Sequence, residues 1–384
     1  MRVVVDALGV QRGGGLLTAV RSVVGTWAEV APGDELVLVV DRAVRGELPA
    51  AGPGLEVVPL DLGSRRQVNR LTRGAWALRE LSRGADALLA TLPVLPTFGV
   101  RALPTVVLLY DMRHRVRPTD FPRATVLQRS VLYHRAVRRS DAVLAISQRT
   151  ADDLDALIAP HAPVTVAHLG ADHVAAATTG GARAHGLVHG HFSNKGVDLA
   201  LQTWATLGQR HAVDLPLLVV GVPPEDRGRW ESMAGELGIG DRVRVAGWLD
   251  DGALASVVDD SAVLLFPSRH EGFGLPALEA MRRRVPVAIS PDPALVEVTG
   301  GHAPVASSWS AEALAEATWR AIRMSDDGVE AAARHAATFT WASTVTTIRA
   351  VIEAEVGRRS GRDGGSGSGP QSAGGATDLG SARW

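Results

Sequence analysis

The chain has no cysteine and a single lysine, Lys195, among its 384 residues. Without cysteine it can form neither a disulfide framework nor a thiolate metal site, and it has no thiol nucleophile. No apolar run approaches the length of about 18 residues that a membrane-spanning helix needs. The opening residues, Met1 to Asp6, predict a short strand rather than a signal peptide. We therefore expect a cytoplasmic protein, either free or at the inner face of the membrane.

The charge of the chain is nearly balanced but unevenly distributed. A formal net charge of −1 weighs against a general nucleic-acid binder, so we expect no nucleic-acid partner. Residues 1–170 hold 21 arginines and 16 acidic residues, a balance of +5, whereas the remainder holds 19 basic and 25 acidic residues, a balance of −6. The basic first half would suit an anionic acceptor or peripheral membrane contact, although a solvated arginine-rich face is the simpler explanation.

Short apolar segments alternate with amphipathic ones along most of the chain. This alternation predicts an α/β protein with parallel sheets, with six strands in the first half and five in the second. The length favours two domains. A flexible Ala/Thr/Gly stretch predicts the linker, and Gly/Ser-rich composition predicts a disordered tail. The predicted boundaries are a first domain at 1–170, a linker at 171–183, a second domain at 184–340, a last helix at 341–356 and a tail at 357–384.

The most informative segment follows the apolar run Ala262–Phe266, which predicts a buried strand. From Glu271 to Glu279 the sequence is Glu-Gly-Phe-Gly-Leu-Pro-Ala-Leu-Glu, a glycine-containing loop that enters a helix at a proline. The amides of Gly274 and Leu275 would face outward at the helix N-terminus, where anions bind. Amides for phosphate beside two carboxylates for hydroxyls predict a sugar nucleotide as ligand. An acid in the first turns of a helix can also simply balance the helix dipole, an alternative that stays open for Glu279.

This segment resembles the Glu-x7-Glu motif of the retaining glycosyltransferases of family four, also called group 1, including its Gly-Phe-Gly-Leu-Pro interior. The resemblance implies the type-B architecture, in which two Rossmann-like domains with parallel sheets face each other across a cleft. It also implies that Glu279 binds ribose hydroxyls and that Glu271 acts in catalysis by contacting hydroxyls of the transferred sugar. The further donor contacts that it implies within the motif are Gly272, Phe273, Gly274 and Leu275.

Lys195 lies in a second segment, Gly190-His-Phe-Ser-Asn-Lys-Gly196, between a predicted strand and a predicted helix. The segment is similar to the Gly-Arg-Leu…Lys-Gly segment of the same family, whose arginine and lysine hold the donor diphosphate. Lys195 matches the lysine, but the arginine position falls on His191, and the loop is about one residue short. A neutral histidine would bind a diphosphate weakly, whereas a protonated His191 would partly compensate and make donor binding sensitive to pH.

Three glycines, in Arg12-Gly-Gly-Gly15, separate the first predicted strand from the first predicted helix. The spacing is not that of the dinucleotide fingerprint, so we do not expect a nicotinamide site. The segment resembles the glycine loop with which the family faces the donor phosphates, which makes Gly14 and Gly15 donor-binding candidates. A simple turn explains the glycines equally well.

The strand predicted at Thr105–Tyr110 ends in Tyr-Asp, where the family has His-Asp on the acceptor side. Tyr110 replaces the histidine, so a role that depends on that histidine does not transfer. Asp111 remains a candidate catalytic residue, because α/β proteins gather ligands at the carboxyl ends of strands. Three arginines follow that could meet an anionic acceptor, although an exposed loop explains them as well: Arg113, Arg115 and Arg117.

Together these features predict a retaining hexosyltransferase. Its donor would be a nucleoside diphosphate sugar of the mannose or glucose type, such as GDP-mannose or UDP-glucose, and its acceptor a glycan or lipid-linked hydroxyl in bacterial glycan, glycolipid or polysaccharide synthesis. We expect no cofactor and no metal, because none of the 12 histidines forms a pair with zinc-like helical spacing. The departures at His191 and Tyr110 keep open a catalytically weak nucleotide-sugar-binding subunit of a glycan assembly. A nucleotide-sugar epimerase of the same architecture is a weaker alternative.

Overall fold

A computed structural model describes residues 1–96, 103–176 and 183–365, with side chains to residue 360. The chain forms two parallel sheets, which confirms the predicted α/β class. The first sheet has seven strands in the order β3-β2-β1-β4-β5-β6-β7, and the second has five in the order β10-β9-β8-β11-β12. The strands of the first sheet are β1 (Arg2–Ala7), β2 (Glu35–Asp41), β3 (Leu55–Leu60), β4 (Ala87–Ala90), β5 (Thr105–Leu109), β6 (Ala142–Ala145) and β7 (Val164–Val166). Those of the second are β8 (His185–His189), β9 (Leu217–Val220), β10 (Val243–Val245), β11 (Ser261–Phe266) and β12 (Val287–Ile289).

Helices connect the strands of each sheet. The first sheet is accompanied by α1 (Gly15–Val30), α2 (Arg66–Asn69), α3 (Ala75–Leu81), α4 (Arg113–Val116), α5 (Arg123–Arg139) and α6 (Gln148–Leu157). The second is accompanied by α7 (Val197–His211), α8 (Pro224–Glu236), α9 (Asp251–Asp259), α10 (Leu275–Arg282), α11 (Pro293–Thr299), α12 (Ala311–Ile322) and α13 (Asp326–Ala337), and the last helix is α14 (Trp341–Gly365). None of the helices in the described ranges is both long enough and apolar enough to cross a membrane.

The strand order of the two sheets determines where a ligand site is expected. In each sheet the chain winds outward in both directions from a central strand, β1 in the first and β8 in the second. Ligands of open parallel sheets collect beyond the carboxyl ends of strands at such a switch point. The loops that follow β1, β5, β8 and β11 leave their sheets at these ends. Together with the helices that they enter, they carry the candidate residues of the glycine loop, the Tyr-Asp pair, the lysine segment and the Glu-x7-Glu motif.

Several elements differ from the expectations. The seventh strand, β7, was not predicted, because its three residues are only partly buried and carry too short a pattern. The helices α11 and α13 were also not predicted. Both carry capping signals: Asp292 accepts hydrogen bonds from the amides of Ala294 and Leu295, and Ser325 accepts one from Gly328.

The last helix returns to the first domain and is longer than expected. It packs on α1, and its Arg349 and Arg359 pair with Asp34 and Asp141 of the first domain, both at 2.9 Å. The prediction of a disordered segment from residue 357 is wrong for 357–365, which are helical. Once a helix is nucleated, each added residue gains a backbone hydrogen bond, and the ion pair of Arg359 holds this extension against the first sheet. The rest of the predicted tail, 366–384, lies outside the described residues.

The predicted linker begins as ordered structure. The amide of Ala171 donates to the carbonyl of Phe339 at 3.0 Å, and the amide of Trp341 donates to the carboxylate of Asp172 at 2.8 Å. The chain that leaves the first domain is therefore held against the start of α14. Residues 177–182 of the predicted linker lie outside the described residues.

Candidate active site

Glu271 lies in the loop between β11 and α10 and is held by three donors. Its Oε1 accepts hydrogen bonds from the ammonium of Lys195 at 2.9 Å, the amide of Asn194 at 3.1 Å and the hydroxyl of Ser268 at 2.5 Å. Its other oxygen, Oε2, accepts none from a residue that the structure describes. The Lys195 side chain is only 6% exposed and lies over the ring of Phe266. The carboxylate is thus oriented through one oxygen, and the second oxygen stays available to a ligand.

The lysine reaches Glu271 because the loops after β8 and β11 are tied together. The carbonyl of Asn194 accepts from the Arg269 amide at 2.9 Å, and the hydroxyl oxygen of Ser268 lies 2.9 Å from the same carbonyl oxygen. Gly196 follows in the left-handed conformation, with φ of 67°, and a β-carbon there would lie 2.6 Å from the carbonyl oxygen of Pro267. Only glycine meets both conditions, so this residue fixes the approach of the two loops.

Glu279 lies on α10 and is bound by a chain of hydrogen bonds from the C-terminal helix. Trp341 donates its indole N–H to Nδ1 of His173 at 3.1 Å, and Nε2 of His173 lies 2.9 Å from the Glu279 carboxylate. Because the indole can only donate, His173 carries its proton on Nε2 and donates it to Glu279. His173 is a site residue that the sequence did not reveal, since it belongs to the segment predicted as a linker.

The four donor contacts predicted between the two glutamates divide into two groups. Gly274 and Leu275 stand at the N-terminus of α10, which no described side chain caps, as an anion site requires. Phe273 was predicted to contact the donor, but its side chain is buried against Phe339 and has a packing role. Gly272 was also predicted to contact the donor, but it lies against the first domain, because a β-carbon there would lie 1.9 Å from the carbonyl oxygen of Tyr110.

The motif is part of the interface between the domains. The carbonyl of Gly272 accepts from the hydroxyls of Ser147 at 2.6 Å and Thr150 at 3.1 Å. Ser147 also accepts from the Thr150 amide at 3.0 Å and thereby caps α6. A single serine therefore caps a helix of one domain and binds the main motif of the other.

Glu297 of α11 caps the same helix from the second domain. Its carboxylate accepts from the amides of Gln148 at 2.8 Å and Arg149 at 3.2 Å, and lies 2.7 Å from Nε2 of His168. Burial acts to raise the pKa of Glu297, but these hydrogen bonds outweigh it and hold the pKa below its ordinary value. Glu297 therefore joins the two domains through hydrogen bonds.

A buried charged network lies behind Glu271. Arg149 of the first domain contacts Nδ1 of the neighbouring His270 at 3.1 Å, and Asp292 accepts from the Glu271 amide at 3.2 Å. Burial and the charge of Glu271 raise the pKa of Asp292 to about 6, against the opposing charge of Arg149. Burial, followed by the charge of Arg149, lowers the pKa of His270, so its Nδ1 can accept from Arg149. These side chains hold the Glu271 segment from its buried side, and no pattern in the sequence indicates them.

The first domain contributes Asp111 and the glycine loop. Oδ1 of Asp111 accepts from the amide of Arg113 at 2.9 Å, and its β-carbon lies 3.2 Å from where a β-carbon on Gly272 would stand. The neighbouring Tyr110 replaces the expected histidine, and burial raises the pKa of its hydroxyl. The structure therefore brings Asp111 to the motif without an imidazole at position 110.

The glycine loop faces the second domain across the cleft. A β-carbon on Gly13 would lie 3.0 Å from the ring of Trp248, which stands 6.0 Å from the ring of His191. Gly14 and Gly15 have open space around them, at the N-terminus of α1, where no described side chain provides a cap. The structure thus places Gly14 and Gly15 opposite the loop that carries His191 and Lys195.

His191 is neutral. Burial and the charge of Lys195 lower its pKa to about 2, and its ring packs against Phe192 at 4.5 Å between centroids. Desolvation and a neighbouring cation therefore both act against the protonated His191 that would compensate for the missing arginine. Over residues 1–96, 103–176 and 183–365, no cluster of three or more His, Asp or Glu has the geometry to hold a metal ion.

Comparison with known proteins identifies the second domain. Residues 184–324 match the model of the family described as glycosyl transferases group 1. The second domain is a group 1 glycosyltransferase domain. The matched segment contains Lys195, Glu271 and Glu279, whereas Gly14, Gly15 and Asp111 lie outside it.

Two curated relatives are glycosyltransferases. The chain is 32% identical over 171 residues to the MMP alpha-(1->4)-mannosyltransferase of Mycolicibacterium hassiacum, covering 43% of this chain and 41% of that one. It is 27% identical over 205 residues to the alpha-D-kanosaminyltransferase of Streptomyces kanamyceticus, covering 49% of this chain and 53% of that one. The matches thus span about half the length of these relatives.

Solved structures share the fold over nearly the whole chain. Sucrose-phosphate synthase from Thermosynechococcus elongatus superposes with a TM-score of 0.75 at 16% identity, covering 93% of this chain and 99% of that one. HepE of Anabaena, solved in complex with UDP and glucose, gives a TM-score of 0.68 at 15% identity, covering 92% of this chain and 100% of that one. These likenesses show the type-B glycosyltransferase fold, with two Rossmann-like domains, which confirms the predicted architecture.

Proposed function

We propose that the protein is a retaining glycosyltransferase that moves a hexose from a nucleoside diphosphate sugar to an acceptor hydroxyl. One observation carries the proposal: Lys195, Glu271 and the uncapped N-terminus of α10 converge at the carboxyl ends of β8 and β11. The group 1 family match and the names of the two relatives support the same class of reaction.

Each of these groups suits one part of such a donor. The ammonium of Lys195 has three N–H donors and uses one on Glu271, so it can also bind a diphosphate oxygen, together with the amides of Gly274 and Leu275. Oε2 of Glu271 is available to a hydroxyl of the transferred sugar. Glu279 would bind the ribose hydroxyls through the oxygen that His173 does not hold.

The transfer itself needs little covalent chemistry from the protein. The acceptor oxygen forms a bond to the anomeric carbon, the bond to the diphosphate breaks, and the acceptor proton passes to the departing phosphate oxygen. Lys195 and the amides stabilise the charge that develops on that leaving group, and preorganised donors of this kind supply about 100- to 1000-fold each. Asp111, beside Gly272, is the candidate for orienting the acceptor hydroxyl at the mouth of the cleft.

The donor can be identified from the stability of the protein. A ligand that binds only the folded state raises the melting temperature, so GDP and UDP should be compared, followed by GDP-mannose and UDP-glucose in a transfer assay. We expect one nucleoside diphosphate to raise the melting temperature clearly above the others. Absence of any shift at millimolar concentration would contradict a donor site of this kind.

Lys195→Met tests the chemical role of the lysine. It should lower the transfer rate by at least about 100-fold, since it removes a charged donor from the leaving group. Because the change leaves the Glu271 carboxylate without its ammonium partner in a buried site, the melting temperature of Lys195→Met should be compared with that of the double variant Lys195→Met with Glu271→Gln, which restores a neutral pair; this comparison checks that the loss of activity is not one of folding. Arg229→Met, an exposed change in the same domain, is the control and should keep full activity. Unchanged turnover in Lys195→Met would remove the lysine from the site.

A second candidate is a nucleotide-sugar-binding subunit with little catalytic power. The neutral His191 at the arginine position favours it, because it leaves the loop after β8 with one charge fewer for the diphosphate. A nucleotide that raises the melting temperature without any hydrolysis or transfer from the corresponding sugar donor, across a panel of acceptors, would support this alternative.

The acceptor side carries features that suit a lipid-linked or anionic glycan at the inner face of the membrane. Helix α5 holds five arginines and no acidic residue, and its Leu127 and Val131 are exposed by 68% and 59%. We propose that this helix lies on an anionic lipid surface while the first domain presents the acceptor. Co-sedimentation with vesicles should require anionic lipid and should fall with Leu127→Glu; binding that is equal with neutral lipid would contradict it.

A further inference from the structure

Arg113 lies on α4 of the first domain but contacts the lysine loop of the second. Its Nη1 donates to Oδ1 of Asn194, whose Nδ2 in turn donates to Oε1 of Glu271 at 3.1 Å. Its guanidinium stands 5.6 Å from the ring centroid of Phe192, and its charge is one of those that act on His191. The guanidinium is therefore part of the wall that also holds Lys195.

The charge of Arg113 has no counterpart in the described parts of the chain. No carboxylate of residues 1–96, 103–176 or 183–360 lies within 4 Å of its guanidinium, and its Nε is buried without a hydrogen-bond acceptor. A guanidinium without an anionic partner is well suited to bind a phosphate, because its planar N–H groups match phosphate oxygens. The neighbouring Arg115 is exposed and points to no such partner.

The position of Arg113 also accounts for the histidine at position 191, where the family segment that the lysine loop resembles has an arginine. His191 occupies the place of a phosphate-binding arginine, and its half-buried ring packs against those of Phe192 and Trp248. The loop therefore offers only one cation, Lys195, for a ligand that carries at least two negative charges. Arg113 brings a second one to the same loop from across the cleft.

We infer that Arg113 binds the diphosphate of the donor in place of the missing cation at position 191, so that the first domain completes the donor site. The inference rests on the proposed function, since it assigns a residue to the nucleoside diphosphate site. It makes Arg113 a donor-binding residue rather than an acceptor contact. It also couples donor binding to the approach of the two domains, because the phosphate would be held from both sides.

Arg113→Met tests the inference by comparing ligands that differ only in their phosphates. The affinity for the nucleoside diphosphate that stabilises the wild-type protein should fall by about 10- to 100-fold, as expected for losing hydrogen bonds to a charged group, while the affinity for the nucleoside without phosphate should not change. Arg115→Met, two residues along the same helix, is the matched control and should keep both affinities. Calorimetry gives each value, and melting of the ligand-free variants checks their folding.

A second variant separates charge from structure. His191→Arg in the Arg113→Met background places a cation at the position that lacks one, and it should recover most of the lost affinity for the diphosphate. If Arg113→Met binds the diphosphate as tightly as the wild-type protein does, or loses diphosphate and nucleoside affinity equally, the inference is wrong and Arg113 only bridges the domains. If the wild-type protein binds no nucleoside diphosphate at all, it is the proposed function that fails.

Discussion

Gly196 offers the sharpest test of how the two loops of the site are held together. Gly196→Ala would place a β-carbon 2.6 Å from the carbonyl oxygen of Pro267, at a φ of +67°. The same domain contains a matched glycine, Gly238, with a φ of +70° and nothing within 4 Å of a built β-carbon. Substitution by alanine therefore has the same conformational cost at both glycines, and only Gly196→Ala adds a steric collision.

The expected magnitudes follow from these two terms. A left-handed conformation costs an alanine about 1–2 kcal/mol, so it lowers the stability of both variants by this amount. The lower conformational entropy of the unfolded chain offsets a few tenths to about 1 kcal/mol of this cost in both. Gly196→Ala adds about 1–3 kcal/mol of overpacking, because the colliding atom is a backbone oxygen that cannot rotate away. We expect Gly196→Ala to be the less stable variant by about 1–3 kcal/mol.

Urea unfolding measures the stabilities, and calorimetry with the stabilising nucleotide measures the site. Because Lys195 immediately precedes Gly196, relief of the collision by movement of the loop should also weaken nucleotide binding, whereas Gly238→Ala should bind normally. Equal unfolding midpoints and equal affinities in the two variants would refute the packing of Gly196 on Pro267 as the device that positions the lysine.

Three further outcomes are expected. Burial and the charge of Glu271 raise the pKa of Asp292 from 3.8 to about 6, so the cost of its ionisation to folding develops between about pH 4 and pH 6 and is complete above pH 6. Asp292→Asn keeps the helix cap but loses the acceptor for the Glu271 amide; its stability relative to the wild-type protein should rise by about 2–3 kcal/mol from pH 4 to pH 7, and a difference independent of pH would be inconsistent with this. Glu297 has a lowered pKa in the folded protein, so it stabilises the fold at pH values above the ordinary pKa of a glutamate, and this stabilisation is lost on acidification. In urea unfolding, Glu297→Gln should lower the stability by about 1–2 kcal/mol at pH 7 and by little at pH 3, while the exposed control Glu236→Gln should leave it unchanged. Glu279→Ala should weaken the binding of a nucleoside diphosphate but not that of inorganic diphosphate; calorimetry that gives equal nucleotide affinity would exclude the ribose role.

The sequence predicted the site best where a strand, a loop and a helix follow each other directly. Lys195 and Glu271 follow two apolar strands that become neighbours in the second sheet, so their meeting could be expected from the strand ends. Phe273 could not be placed in this way, because its burial depends on Phe339 in a distant helix connection. The neutral state of His191 likewise depends on burial by groups that only the fold assembles.

The roles of charged residues that share the same sequence pattern were equally hard to predict. Arg113, Arg115 and Arg117 alternate in one short segment, and nothing in the sequence separates them. The fold separates them, because Arg113 reaches Asn194 of the other domain whereas Arg117 pairs locally with Asp120 at 3.1 Å. Contacts between side chains on opposite sides of the cleft were therefore the part of the site that could not be predicted from the sequence.

The carboxylate of Glu297, which completes the first turn of α6, makes the separation of the domains a measurable local event. The amide protons of Gln148 and Arg149 are bonded to the other domain rather than within their own helix. Their exchange with solvent therefore waits for the cleft to open and not for the helix to unfold. The exchange rate of these two protons therefore measures how often the cleft between the domains opens, and any ligand that binds both domains must slow this exchange.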